Sequence, residues 1–473
     1  MMLKIPREVT NVLHQLLRWD DLTEKQLEQI EDTPPSEASR LIVQWRHQNF
    51  SSPRIYLLLA LASSRWVDHR GPYIGHGTFN GGPMLRASNY LSAEYRSLAL
   101  LHMTVYVLDL LRHPNYGPYC MQESFELTET MEQLQTGFIP DVESGSKALL
   151  SEHRAAHLAK SLGRDARGLM LEAALRQYPE NEHRLLIVQR ALQFLDDINA
   201  WSYAEAFFRP AVQYLANRPD ARMANQVMQD WAALSYPELA KNVEHSVCRD
   251  LIENLIECEY GEEPEIIGAS INAYVNGNTL REAMSMASSA LMLRSGFDAH
   301  AVTGIHCVMD LLRDEKCPAS IRGLTWLLAL SGSRTRRQKA QRAQWSQVAS
   351  ARVGSSAVTF ERLRQIIHED GSGLDAAVAT KQILQSGGDP TSVARELMQT
   401  SLATSDPFTA IHNVKMLGGL LKETLHSQWP EQAWIHLSAG ARVVAMSVER
   451  SQAMQDVLRQ WLVLHPESRF FPH

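Results

Sequence analysis

His300-Ala-Val-Thr-Gly-Ile-His-Cys-Val-Met309 and His412-Asn-Val-Lys-Met-Leu-Gly-Gly-Leu-Leu421 begin alike and run alike. Laid histidine on histidine, Val302 meets Val414, Ile305 meets Leu417, and Val308-Met309 meets Leu420-Leu421. The match extends to Pro318 and Pro430. Upstream, with a one-residue slip, Gly277-Asn-Thr-Leu-Arg-Glu-Ala-Met284 faces Gly388-Asp-Pro-Thr-Ser-Val-Ala-Arg395. A repeated helical unit that keeps a histidine near its start predicts a site assembled from several units.

Helical periodicity dominates the rest of the chain. Leu185, Val188, Leu192 and Leu195 form the i, i+3, i+4 stripe of an amphipathic helix. Residues 280–293 are rich in Ala, Met, Leu and Glu, all good helix formers. Asp389-Pro390 and Asp406-Pro407 place Asp at an N-cap and Pro in the first turn, and Asn278-Thr279 precedes another helical run. Sustained period-two alternation is absent, so the expected fold is all-α, stacked helical hairpins. Its divisions are an N-terminal helical region (1–220) and a C-terminal helical repeat region (221–473), or one continuous stack of helix pairs.

Three stretches interrupt the pattern. Residues 68–82 hold five glycines and a proline, which predicts a loop. Residues 113–119 form a Pro/Gly/Asn/Tyr loop, and 331–356 are basic, with Arg334, Arg336, Arg337, Lys339, Arg342 and Arg352. The basic run reads first as a solvated face or linker, and second as a contact for an anionic partner.

Composition narrows the function. The 473-residue chain carries a net charge of −7, which argues against non-specific nucleic-acid binding. Five cysteines without a CxxC pair fit reduced thiols in the cytoplasm. The N-terminus lacks the layout of a secretory signal, and no apolar run approaches the roughly 20 residues of a membrane helix. Neither GxGxxG nor a P-loop motif occurs, so no nucleotide cofactor is expected. A homodimer or a protein partner is compatible with all of this.

Eighteen histidines are the chemical resource. Neutral imidazole binds transition metals and titrates near neutrality. His300 with Thr303, and His412 with Lys415, are i, i+3 pairs on one helix face, with Asp298 and Asp406 as candidate caps. His76, in Gly-His-Gly-Thr, reads as a fainter copy of the same unit. His153 and His157 are i, i+4 and suit either a metal pair or an interhelix contact. His306, His426 and His436 fall in or near the repeats without a place in the expected site.

At these His-x-Val-[Thr/Lys] units the chain resembles the questin-oxidase-like family, all-helical proteins with recurrent His-led helices. A similar helical region accompanies Rieske iron–sulfur domains in some bacterial proteins. The resemblance covers residues 265–445, with an echo at 70–110. It implies oxygen-dependent ring cleavage or a Baeyer–Villiger-type oxidation of an aromatic polyketide-like substrate, without a flavin-binding fold. His76, His300, Thr303, His412 and Lys415 match its pattern.

The expected function is therefore an oxidoreductase of oxygenase type acting on a hydrophobic or aromatic small molecule. His300, His412, Lys415 and Thr303 would carry the chemistry. His76, His300 and His412 would either hold a redox metal, iron first, or serve as general bases. The rival is a non-catalytic helical-repeat scaffold binding a protein partner, whose histidines would be dispersed and individually satisfied.

Overall fold

The computed structural model describes residues 16–71, 74–117, 119–179, 181–239, 242–259, 261–296, 300–315, 317–328, 348, 350–351, 358–448 and 452–464. Its elements are α-helices and short 3₁₀ turns. Among the described residues the one strand-like pairing is an isolated bridge between Leu16 and Gln122. The fold is all-α, and no described helix is long and apolar enough to cross a membrane.

In chain order the helices around the site are α1 (Ser52–Trp66), α2 (Gly77–Ser88), α3 (Ala93–Leu110), α4 (His183–Asp197), α5 (Gly277–Ser295), α6 (His300–Arg313), α7 (Pro407–His426), α8 (Trp434–Met446) and α9 (Gln452–Leu464). Four of them close a ring: α2 packs on α4, α4 on α6, α6 on α7, and α7 back on α2. Residue numbers rise together across every seam. Gln189 Nε2 donates to the Cys307 carbonyl (2.9 Å), and Gln193 Nε2 donates to Asp310 (3.2 Å). Gly419 lies against His306, and Arg313 bonds Glu423. Lys415 reaches Asn80 (3.4 Å), and Gly418 faces Ala87. The four ring helices are thus parallel, with their N-terminal ends together.

Two of the ring helices come from each side of residue 220. Others enclose the ring: α1 and α3 cover α2, α3 also covers α7, and α5 and α8 pack on α6 and α7. Enclosure explains why α4 is buried nearly all round. Its predicted stripe residues Leu185, Val188, Leu192 and Leu195 are buried, and so are Arg184, Gln189 and Arg190 between them.

The caps are local and largely as expected. The Asp406 side chain accepts from the Phe408 and Thr409 amides, and Asp389 accepts from Thr391 and Ser392. At α5 the cap falls earlier than expected. Asn276, not Asn278, accepts from the Thr279 amide, while its Nδ2 holds Asn242 and Glu244.

The glycine-rich stretch departs from its expectation. Gly77, Gly81 and Gly82 belong to helix α2, with Pro83 inside it. Here glycine serves helix–helix approach. A Cβ on Gly82 would stand 2.9 Å from Phe194 Cβ, and one on Gly77 would stand 2.5 Å from Ser63 Oγ. Close packing against α4 and α1 outweighs the poor helix propensity of glycine. The basic segment lies mostly outside the described residues, as does Asp298.

Candidate active site

Where the ring helices begin, their histidines gather. His76 is the N-cap residue of α2, His183 the first residue of α4, and His412 sits in the second turn of α7. The His76 and His412 rings meet edge to face with centroids 4.6 Å apart, and His76 and His183 lie 5.7 Å apart. Phe408 packs on both, 4.1 Å from His412 and 5.8 Å from His76. Tyr106, on α3, accepts a hydrogen bond from the His76 amide (3.2 Å) and packs 5.9 Å from Phe408.

Hydrogen bonding fixes two tautomers. The carbonyl of Phe408 can only accept, so His412 Nδ1, 2.7 Å away, carries the proton, and Nε2 carries the lone pair. Asn181 Oδ1 accepts from the His183 amide (3.0 Å) and lies 3.2 Å from His183 Nδ1, while Asn181 Nδ2 donates to Tyr214 (2.9 Å). That network orients the amide and again places the ring proton on Nδ1. Both imidazoles therefore offer Nε2 as the basic nitrogen.

Just below, Lys415 donates to Asn80 Oδ1 (3.4 Å), both residues being buried. Thr303 is buried in the first turn of α6. His300 heads the same helix, and its side chain lies outside the described part of the molecule. The Cα of Gly304 approaches α4 so closely that a Cβ there would meet Glu182 at 3.0 Å and Tyr178 Oη at 3.5 Å. The N-terminal turns of α4 and α6 are therefore side by side.

A cleft of about 790 Å³ opens outside this cluster. Tyr106 and Phe408 form part of its lining, with Val105, Leu110 and Tyr116 as further apolar wall. Asp109, Asp406, Asp456 and Arg459 line it as well, and Arg459 is paired with Asp456. Phe408 is 46% exposed, unusual for a large aromatic that also packs on a histidine, because it faces this space. Two aromatic residues of the cleft wall thus pack directly against the histidines. Burial pushes the Tyr106 hydroxyl far above its ordinary range and keeps it a neutral phenol.

The other histidines take structural roles or lie elsewhere. His153 accepts from the Phe125 amide (3.2 Å), and His157 lies 2.9 Å from the Phe125 carbonyl, so this i, i+4 pair clasps one loop residue. His102 reaches the Leu402 carbonyl (2.8 Å), and His426 reaches that of Lys422 (2.7 Å). Burial lowers His69, His102 and His306 to about 4.

Among the described residues no three His, Cys, Asp or Glu side chains are arranged to hold a metal ion. The described donors at the cluster are imidazoles packed edge to face, with one nitrogen of His412 committed to a carbonyl. They do not by themselves make a metal centre.

Of the residues expected from sequence, His76, His412 and Lys415 come together. His183, Tyr106 and Phe408 were not anticipated. His183 had a readable signal, since it opens the strongly periodic helix beginning at Arg184 and so repeats the His-led pattern. Tyr106 and Phe408 had none, because only packing brings α3 against the start of α7. Comparison of the chain with known proteins returns no matching family model, no matching curated protein and no matching solved structure.

Proposed function

We propose that the protein is an oxidoreductase that binds a hydrophobic or aromatic small molecule in the Tyr106–Phe408 cleft and activates it with the histidine cluster. The observation that carries this reading is the convergence of His76, His183 and His412, from three separate ring helices, against the aromatic lining of the cleft. A scaffold with structural histidines would leave them dispersed, as His102 and His157 are.

The chemistry follows from the tautomers. His412 Nε2 removes the proton of a phenol or enol, and His183 Nε2 stands ready as a second base. The oxyanion forms where four helix N-termini converge, and their partial positive charge stabilises it. The electron-rich carbon of that anion bonds to O₂, which is reduced to a peroxide, and the protonated histidine returns its proton to the peroxide oxygen. Lys415 and Thr303 line the same end of the ring as orienting groups. With His300 heading α6, iron held by His76, His300 and His412 is the metal-dependent form of the same proposal.

Oxygen uptake tests it, using 1-naphthol and 1,8-dihydroxyanthraquinone as probes. Substrate-dependent uptake that falls about 10²–10⁴-fold in His412→Ala supports the reading. Uptake unchanged in both His412→Ala and Phe408→Ala removes this site from consideration. Elemental analysis of wild type and the His300→Ala/His412→Ala double variant separates the two forms. Iron lost in the variant identifies the metal-dependent one.

A further inference from the structure

Inside the ring, below the histidine cluster, lies a group of polar side chains of which the proposed chemistry uses only Lys415. Arg190 projects from α4 and is 8% exposed. It forms no ion pair among the described residues, and its Nε and Nη1 have no hydrogen-bond partner. Its neighbour is the buried Cys307 thiol. Burial raises that thiol to about 11, so it remains neutral and does not compensate the guanidinium.

The nearby acids are already engaged. Glu423 accepts from two nitrogens of Arg313 (2.6 and 2.8 Å) and from Ser285 (2.8 Å). Asp310 is paired with Lys422 and accepts from Gln193. Meanwhile the charge of Lys415 is also felt at Cys307. Among the described residues, Asn80, which accepts from Lys415 through Oδ1, has no partner for its Nδ2, and the enclosed His306 has none for either ring nitrogen.

A buried, uncompensated charge is costly, whereas a buried pair with satisfied hydrogen bonds is tolerated. Orphaned buried polar atoms are also rare in native proteins, and here they cluster on three ring helices. Most of the open capacity is donor capacity, guanidinium N–H, amide N–H₂ and one imidazole N–H, against the acceptors Gln189 Oε1 and the second His306 nitrogen. Water would satisfy the hydrogen bonds but not the charge. We infer that Arg190, Asn80, His306 and Lys415 form an internal binding site for a small anion, an inorganic ion or a carboxylate. The site lies within the ring and is separate from the histidine cluster, so its occupancy does not depend on the oxidoreductase reading.

The test uses the full chain, dialysed into sodium MES so that no halide or carboxylate is present. Bromide or acetate is then added at constant ionic strength while thermal unfolding is followed. The wild-type Tm rises saturably by several degrees, as expected for a ligand bound only by the native state. Arg190→Met and Arg190→Gln give flat titrations. Response to bromide alone assigns an inorganic ion, and response to acetate as well assigns a carboxylate. In crystals grown with bromide, an anomalous peak lies within hydrogen-bond reach of the Arg190 guanidinium, a readout that needs no variant. A wild-type Tm that responds no more than the variants, or crystals without a bromide peak at Arg190, overturns the inference.

Discussion

His412 donates from Nδ1 to the carbonyl of Phe408, one turn back on its own helix, while its ring packs edge to face on His76 from the far end of the chain. A single local hydrogen bond thereby sets the tautomer of a residue that packs across the ring on His76. The basic nitrogen is left on the side of the ring that the helix backbone does not occupy.

His412→Gln keeps a polar side chain of similar reach but removes the imidazole base. Turnover is expected to fall about 10²–10⁴-fold, with the affinity for an aromatic ligand in the cleft little changed. Parallel measurement of O₂ uptake and ligand fluorescence separates the two quantities. Equal loss of binding and turnover would make His412 a packing residue.

Phe408→Ala opens the floor of the cleft. Because Phe408 is half exposed, the fold should lose little stability, whereas ligand binding should weaken at least tenfold through lost aromatic contact. Urea denaturation and fluorescence titration of the same variant check both halves.

Gly82→Ala sets a new methyl 2.9 Å from the Cβ of Phe194, an atom that moves only with the α4 backbone. A loss of about 1–3 kcal/mol is expected from overpacking, despite alanine being the better helix former. Stability equal to or above wild type would show that α2 and α4 are not pressed together there.

Glu423 is depressed below the ordinary carboxylate range. Burial alone would raise it, but the Arg313 hydrogen bonds and ion pair outweigh burial. Glu423→Ala leaves the half-buried Arg313 without its partner, at an expected cost of about 1–3 kcal/mol in urea unfolding. A cost under about 1 kcal/mol would mean that the pair is solvated in solution.

Acid should unfold the protein through its buried histidines. His69, His102 and His306 fall from 6.5 to about 4, and His436 to about 3, burial being the main cause in each. A folded pKa below the unfolded one means that the unfolded chain binds more protons in that interval. Stability is therefore unaffected by these groups above pH 6.5 and declines as pH falls toward 4. His102→Gln should reduce the proton uptake on unfolding by close to one in that window. Unfolding free energies measured across pH 4–7 give the slope, and a slope unchanged by the substitution would contradict a neutral, buried His102.

The sequence alone determined what depends on neighbours within a few residues. The Asp389 and Asp406 caps, the stripe from Leu185 to Leu195 and the absence of strand periodicity are i to i+4 signals, and the helices follow them. It also marked His76 and His412 through their place at helix starts. Only the tertiary structure decided which starts meet. Ring closure by α2, α4, α6 and α7 sets His183 beside His76 and brings Phe408 and Tyr106 over them. The same closure turned a glycine-rich stretch into a helix, because a bare backbone could approach Phe194 and Ser63. It also buried Arg190, which reads in sequence as one polar position on an amphipathic helix. Periodicity reports the face a helix turns away from water. It cannot report that neighbours enclose the opposite face too, since that enclosure depends on how other helices, such as α2 and α6, pack against it.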